Sequence, residues 1–201
     1  MHVQEGILEI HETHEKIEEA AHGHLNKGIA ILIATLAALL AVTEMGGKSA
    51  QNTYTAHNIE ASNLWAFFQA KTARMTTVRT AAEWLAVTVP DGLPPSRAQA
   101  VEEQITKWKA AAERYDSEPS TGEGRQQLSE RAKASEAERD HALAAYHLFE
   151  YGAAAFQLAI VLASASLVTE VTLLSLTAGG LGVVGTLLAL LGWFAPTLLH
   201  L

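Results

Sequence analysis

The chain has 201 residues, no cysteine and a formal net charge of −8. The missing thiols exclude disulfides, thiolate metal sites and thiol catalysis together, and no basic patch is dense enough for a phosphate backbone, which argues against nucleic acid as a partner. Mean hydropathy is only slightly positive, but the apolar residues are concentrated. Gly28 to Thr43 carries no charge, and from Tyr151 to Leu199 the only charged residue is Glu170. Hydrocarbon offers charges and backbone groups no water, so this segregation predicts an all-α integral membrane protein with three transmembrane helices in the lipid bilayer.

Residues 1–27 hold Glu5, Glu9, Glu12, Glu15, Glu18 and Glu19 against Lys16 and Lys27. An acidic start followed by a late apolar run does not fit a cleavable signal peptide. The same segment carries His11, His14, His22 and His24. On a helix His11 faces His14 and Glu15, and Glu18 faces His14 and His22. Imidazole and carboxylate at these spacings can bind zinc or another divalent metal, with His11, His14, Glu18 and His22 as candidate ligands. Val3, Ile7, Ile10, His14, Ile17, Ala21 and His24 also fall on one heptad stripe, which equally serves a helix that packs in an oligomer or lies at the membrane interface. A third reading is a pH sensor, since histidine changes charge near neutral pH.

The first span is expected over residues 28–45. Gly28 to Thr43 alone covers about 24 Å as a helix, so it needs Leu25 and Glu44-Met45, or local thinning of the bilayer. The alternative is a buried helix of a soluble core. Residues 46–150 read as a helical extramembrane domain. From Lys48 to Val89 there is no proline, and Tyr54, Ala61, Leu64, Trp65, Phe68, Met75, Val78, Ala82, Leu85 and Val89 recur at helical spacing. Val89 to Pro95 ends this helix, and Ser96 with Gln99 has the form of a capping box. A second helix follows, with Ala98, Val101, Ile105, Trp108, Ala112 and Tyr115 as its stripe. Ser117 to Gly124 breaks it. A third helix from about Arg125 runs on into the Tyr151 span. The first helix leaves the membrane and the last must return, so the second and third together form the return leg, bent at Pro119. The expected result is a stalk or coiled-coil hairpin whose leftover apolar stripes are covered by further copies, with Trp65, Phe68 and Trp108 packing the oligomer.

Residues 151–176 and 177–201 read as a transmembrane hairpin, with arms from about Tyr151 to Ser175 and Ala178 to Leu199. The turn is expected at Leu176 to Gly180, with Thr177 capping the second arm. Tyr146, Phe149 and Tyr151 at the entry and Trp193 and Phe194 at the exit form an aromatic belt on one side. Glu170 then lies about two turns before the bend, where a charge is costly and faces protein, water or the interface. In a ring of subunits, Glu170 and Ser166 would line an ion pathway. Ala155, Ala159 and Ala163 form a small-residue row, as do Ala178, Gly182 and Thr186. Such rows hold the hairpin together or pack neighbouring copies. The hairpin turn lacks Lys and Arg whereas residues 46–150 hold 12, which places the middle domain in the cytoplasm and the N-terminus outside.

Gly46-Gly47-Lys48 through Gln51-Asn52, followed by Asn58-Ile59-Glu60-Ala61-Ser62-Asn63-Leu64-Trp65-Ala66-Phe67-Phe68-Gln69-Ala70-Lys71-Thr72, resembles a bacterial membrane-protein family catalogued as a domain of unknown function. The resemblance covers nearly the whole chain, and Trp-Ala-Phe-Phe-Gln-Ala-Lys is its most specific part. It implies a bacterial inner-membrane protein with an early span and a C-terminal hairpin, and it implies no activity. No nucleophile-base pair, phosphate loop or cofactor motif occurs, so the chain does not read as an enzyme. The expected function is that of a homo-oligomeric scaffold or assembly protein. The alternatives are an oligomeric channel or transporter built on Glu170, and a metal- or pH-responsive sensor built on the N-terminal histidines.

Overall fold

The computed structural model describes the backbone of residues 2–198 and the side chains of residues 27–198. With no proline before Pro90, nothing removes a backbone donor, and one helix, α1, runs over His2–Thr88. The Gly46-Gly47 pair does not interrupt it. Helix α2 spans Pro95–Asp116, α3 Arg125–Thr169 and α4 Thr172–Phe194, followed by a short 3-10 turn at Pro196–Leu198. No strand occurs among the described residues. Three of the helices are long and apolar enough to cross a membrane: α1 within Lys27–Thr88, α3 and α4.

The chain divides into two compact units. One comprises Met1–Gln51 and Ala142–Leu201, the other Asn52–His141. The core of the first is Ile29 and Leu36 of α1, Phe156, Ala159 and Ala163 of α3, and Ala178 of α4. Small residues let the backbones approach closely. A Cβ on Gly152 of α3 would lie 3.2 Å from the Gly185 carbonyl oxygen of α4, and one on Gly185 would lie 3.1 Å from the Gly152 oxygen. Phe149 is only 4% exposed. Its ring edge would stand 2.8 Å from a Cβ on Gly46 of α1 and 3.2 Å from one on Gly192 of α4. It also meets Trp193 edge-on, with ring centroids 5.5 Å apart. Phe149 therefore belongs to the core and not to the aromatic belt expected from the sequence, whereas Tyr151 and Trp193 are exposed.

The hairpin turn lies earlier than the glycines suggest. α3 stops at Thr169 and α4 starts at Thr172. Glu170 takes the left-handed backbone conformation, φ 58°, and the Ser166 hydroxyl donates to the Val171 carbonyl at 3.0 Å. One polar side chain thus ties the end of α3 to the start of α4. Thr177, expected as a cap, sits inside α4, where its hydroxyl bonds the Leu174 carbonyl at 2.9 Å. Gly179 and Gly180 are ordinary helical residues with open space around them. Ser96 and Gln99 form no capping box. Pro95 occupies the first turn of α2, with no side-chain cap, and Gln99 donates instead to Glu103 at 3.0 Å. Proline at this position loses no helical hydrogen bond, so α2 starts without a cap.

In the second unit, α1 contributes Ala61, Leu64, Phe68, Lys71, Met75, Val78, Ala82 and Leu85, all buried or half-buried at alternating intervals of three and four. Their partners come first from α2 and then from α3. Leu85 shares a groove with Val101, Lys71 lies against the Tyr115 ring, and Leu64 packs with Leu128 and Ala132. Pro119 falls in the turn where this cover passes from one helix to the next. The close approach of α3 and α4 predicts that Gly185→Leu lowers stability by about 1–3 kcal/mol through overpacking. Gly179→Ala, facing open space, is expected to be neutral or to stabilise by up to about 1 kcal/mol through helix propensity. Thermal unfolding of the detergent-solubilised chain, followed by circular dichroism, separates the two.

Candidate functional site

Trp65 to Lys71 is the most distinctive segment of the sequence. Its indole and charged groups are engaged within the second unit. Trp65 Nε1 donates to Glu136 at 2.9 Å, and its ring meets Phe68 edge-on at 5.4 Å. The Arg125 guanidinium lies 5.0 Å above the Phe68 ring. Lys71 is buried to 8% exposure. It reaches Glu123 at 3.4 Å and stands 5.7 Å from the Tyr115 ring centre. A buried ammonium needs such compensation, because an unpaired charge is strongly penalised there.

Arg125 begins α3 and ties three elements together. Its Nη1 donates to Asp116 at 2.8 Å and also touches the Met75 sulfur at 3.3 Å. Gln126 donates to the other Asp116 oxygen at 3.1 Å. Gln127 accepts from the Glu118 backbone at 3.1 Å and donates to Ser117 at 3.1 Å. Three consecutive side chains thus clamp the end of α2. Gly124 leaves room for this, since a Cβ there would collide with the Glu118 nitrogen and the Gln127 side chain. The clamp was missed in the sequence, although the signal was present: an arginine and two amides directly after a glycine, nine residues beyond an aspartate. Trp65, Phe67, Phe68, Gln69 and Lys71 are the natural place in the sequence for a ligand site, with packing the better reading, and Lys71 sits at stripe spacing between Phe68 and Met75.

The remaining candidates fall as follows. Trp108 is half-buried on the α2 stripe. Ala178 and Gly182, expected to hold the hairpin together or to pack neighbouring copies, are buried within the chain, and a Cβ on Gly182 would lie 2.6 Å from Leu36 of α1. Ser166 is buried and Glu170 exposed. Glu170 stands at the break between α3 and α4, not two turns before it. Its carboxylate therefore marks the end of both helices and not the middle of a span. His11, His14, Glu18 and His22 lie outside the residues whose side chains are described. Among the described residues no group of three or more metal-binding side chains forms. His57 lies 3.4 Å from the Ser135 hydroxyl and 3.5 Å from Glu60, but both contacts are made by Nδ1, so the ring does not relay a proton between them.

Part of what the second unit leaves open is apolar. Ile59, Phe67, Trp84 and Val87 of α1 are 56%, 52%, 65% and 81% exposed. Ile59 and Phe67 flank a groove of about 430 Å³ that Leu64, Leu128 and Arg131 also line. Trp84 borders a second groove of about 640 Å³ with Val89, Leu93 and Arg97. For the inward face, Trp65→Phe keeps an aromatic ring beside Phe68 but loses the Glu136 hydrogen bond. A destabilisation of about 1 kcal/mol is expected, read as a lower midpoint in the same thermal assay.

No curated protein and no solved structure matches the chain. The model of the family described as Domain of unknown function (DUF4337) matches residues 25–195, nearly the whole chain, which therefore belongs to that family.

Proposed function

We propose that the chain is a three-span protein of a bacterial inner membrane that acts as a homo-oligomeric scaffold or assembly protein, with residues 46–150 in the cytoplasm. Membrane insertion is supported by three helices of sufficient length and apolarity. From Tyr151 to Thr169, α3 extends about 28 Å, and the 23 residues of α4 extend about 35 Å, both suited to a hydrocarbon core of about 30 Å. The orientation is supported by basic residues. The break at Glu170-Val171 has none beside it, whereas residues 46–150 carry 12.

The observation that carries the scaffold reading is the exposed apolar set Ile59, Phe67, Trp84 and Val87. Val87 lies two residues after Leu85 and so points away from the face that α2 covers, and Ile59 stays more than half exposed at the rim of the groove against α3. Water-exposed Trp and Phe on a helix whose inner face is already packed are accounted for by a second copy that covers them. Mass measurement of the intact protein in mild detergent or nanodiscs tests this. The expected result is one defined oligomer, which Phe67→Glu with Trp84→Glu dissociates at unchanged helical content. A wild-type monomer at every concentration would rule the scaffold reading out.

A further inference from the structure

The first unit contains a groove in which charged and apolar side chains meet where two apolar runs end. It lies between α1 and α3, has a volume of about 460 Å³, and is bordered by Glu44, Lys48, Glu150 and Gln157. Its floor is Phe149, which packs so close to α1 that a Cβ on Gly47 would lie 3.3 Å from it. The groove sits where the apolar runs of both helices end: Glu44 follows Thr43, and Glu150 precedes Tyr151. In a bilayer that is the level of the lipid headgroups. The exposed rings of Tyr151 and Trp193 are of the type that settles at this level.

The charges of the groove select the headgroup. Glu44, Lys48 and Glu150 are all exposed. Two carboxylates and one ammonium leave a formal excess of one negative charge. Gln157 donates to Glu44 at 3.5 Å, and His147 approaches Glu150 at 3.9 Å. Lys48 makes no hydrogen bond or ion pair among the described residues. An anionic headgroup would find one cation and two repelling carboxylates. A group carrying phosphate and a primary ammonium matches both signs, with Lys48 taking the phosphate and Glu44 and Glu150 the ammonium. A quaternary ammonium offers no N–H to the carboxylates. One helical turn further along α3, Leu158 and Val161 are 59% and 64% exposed, an apolar track for an acyl chain.

We propose that this groove binds a phospholipid with a phosphoethanolamine headgroup, an inference that rests on the membrane reading above. The test uses the full-length chain, first as carbonate-washed membranes and then as delipidated protein in detergent. The protein is titrated with phosphatidylethanolamine, phosphatidylcholine and phosphatidylglycerol, and the adducts are counted by native mass spectrometry. The expected apparent affinity for phosphatidylethanolamine exceeds that for phosphatidylglycerol by about fivefold, the scale of one partly exposed ion pair. Glu150→Gln should reduce this preference, and Lys48→Gln should weaken both lipids. Both substitutions change exposed side chains, and circular dichroism checks that the fold is kept. Equal or stronger binding of phosphatidylglycerol, or a preference that survives both substitutions, would overturn the proposal. Competition by soluble phosphoethanolamine in millimolar amounts would overturn it too, by showing that the lipid tails are not needed. Removal of the chain by carbonate would defeat the membrane reading and this inference together, whereas a chain that resists carbonate but shows no headgroup preference defeats this inference alone.

Discussion

A long helix cannot bury its own apolar stripe. In α1 the buried positions recur at intervals of three and four from Ala61 to Leu85, so one continuous face must be covered from outside. α2 covers the part that includes Lys71 and Leu85, and the start of α3 covers the part that includes Leu64. The cover changes from one helix to the other between Asp116 and Arg125. That junction has to be short and firmly held, or the stripe would be left open at its middle. The grip of Arg125, Gln126 and Gln127 on residues 116–118 meets this requirement.

The first unit solves the same problem with backbone contact instead of charge. Ala159, Ala163 and Ala178 are fully buried, and Gly152 and Gly185 bring two helices together carbonyl against Cα. Between helices of this composition, small residues permit the close packing that supplies the attraction. Phe149 and Phe156 then fill the spaces that the glycines open. The second unit instead holds its helices with charged groups laid on aromatic rings, Arg125 over Phe68 and Lys71 beside Tyr115. These contacts give direction to a seam that apolar residues alone would leave free to slide.

Helix type and approximate extent were legible in the sequence because hydrophobic periodicity and proline position act locally. The end of α1 before Pro90, the limits of α2 and the small-residue rows of the hairpin all follow from such signals. Glycine is a turn former by default, so Gly179 and Gly180 point to the wrong place for the hairpin turn. The turn is made instead at Glu170, with Ser166 bonding the Val171 carbonyl, and Gly182 and Gly185 serve contact between helices. Phe149 looked like a belt residue because its partners, Gly46 and Gly192, are more than forty positions away on either side. The partners of the Trp65 to Lys71 segment, Glu123, Arg125 and Glu136, are likewise more than fifty positions distant. Such pairings depend on which helices meet, and spacing along one helix does not reveal that.

We propose that α3 and α4 cross a bilayer as a hairpin whose Glu170 turn faces away from the cytoplasm. A chain with no cysteine of its own allows the direct measurement: single cysteines at Glu170, Asp91 and Ala159, probed in sealed inner-membrane vesicles and in whole cells with a membrane-impermeant maleimide. The account predicts that Glu170→Cys is labelled from outside the cell, Asp91→Cys only from the cytoplasmic face, and Ala159→Cys from neither. Labelling of Glu170→Cys and Asp91→Cys from the same face would contradict it.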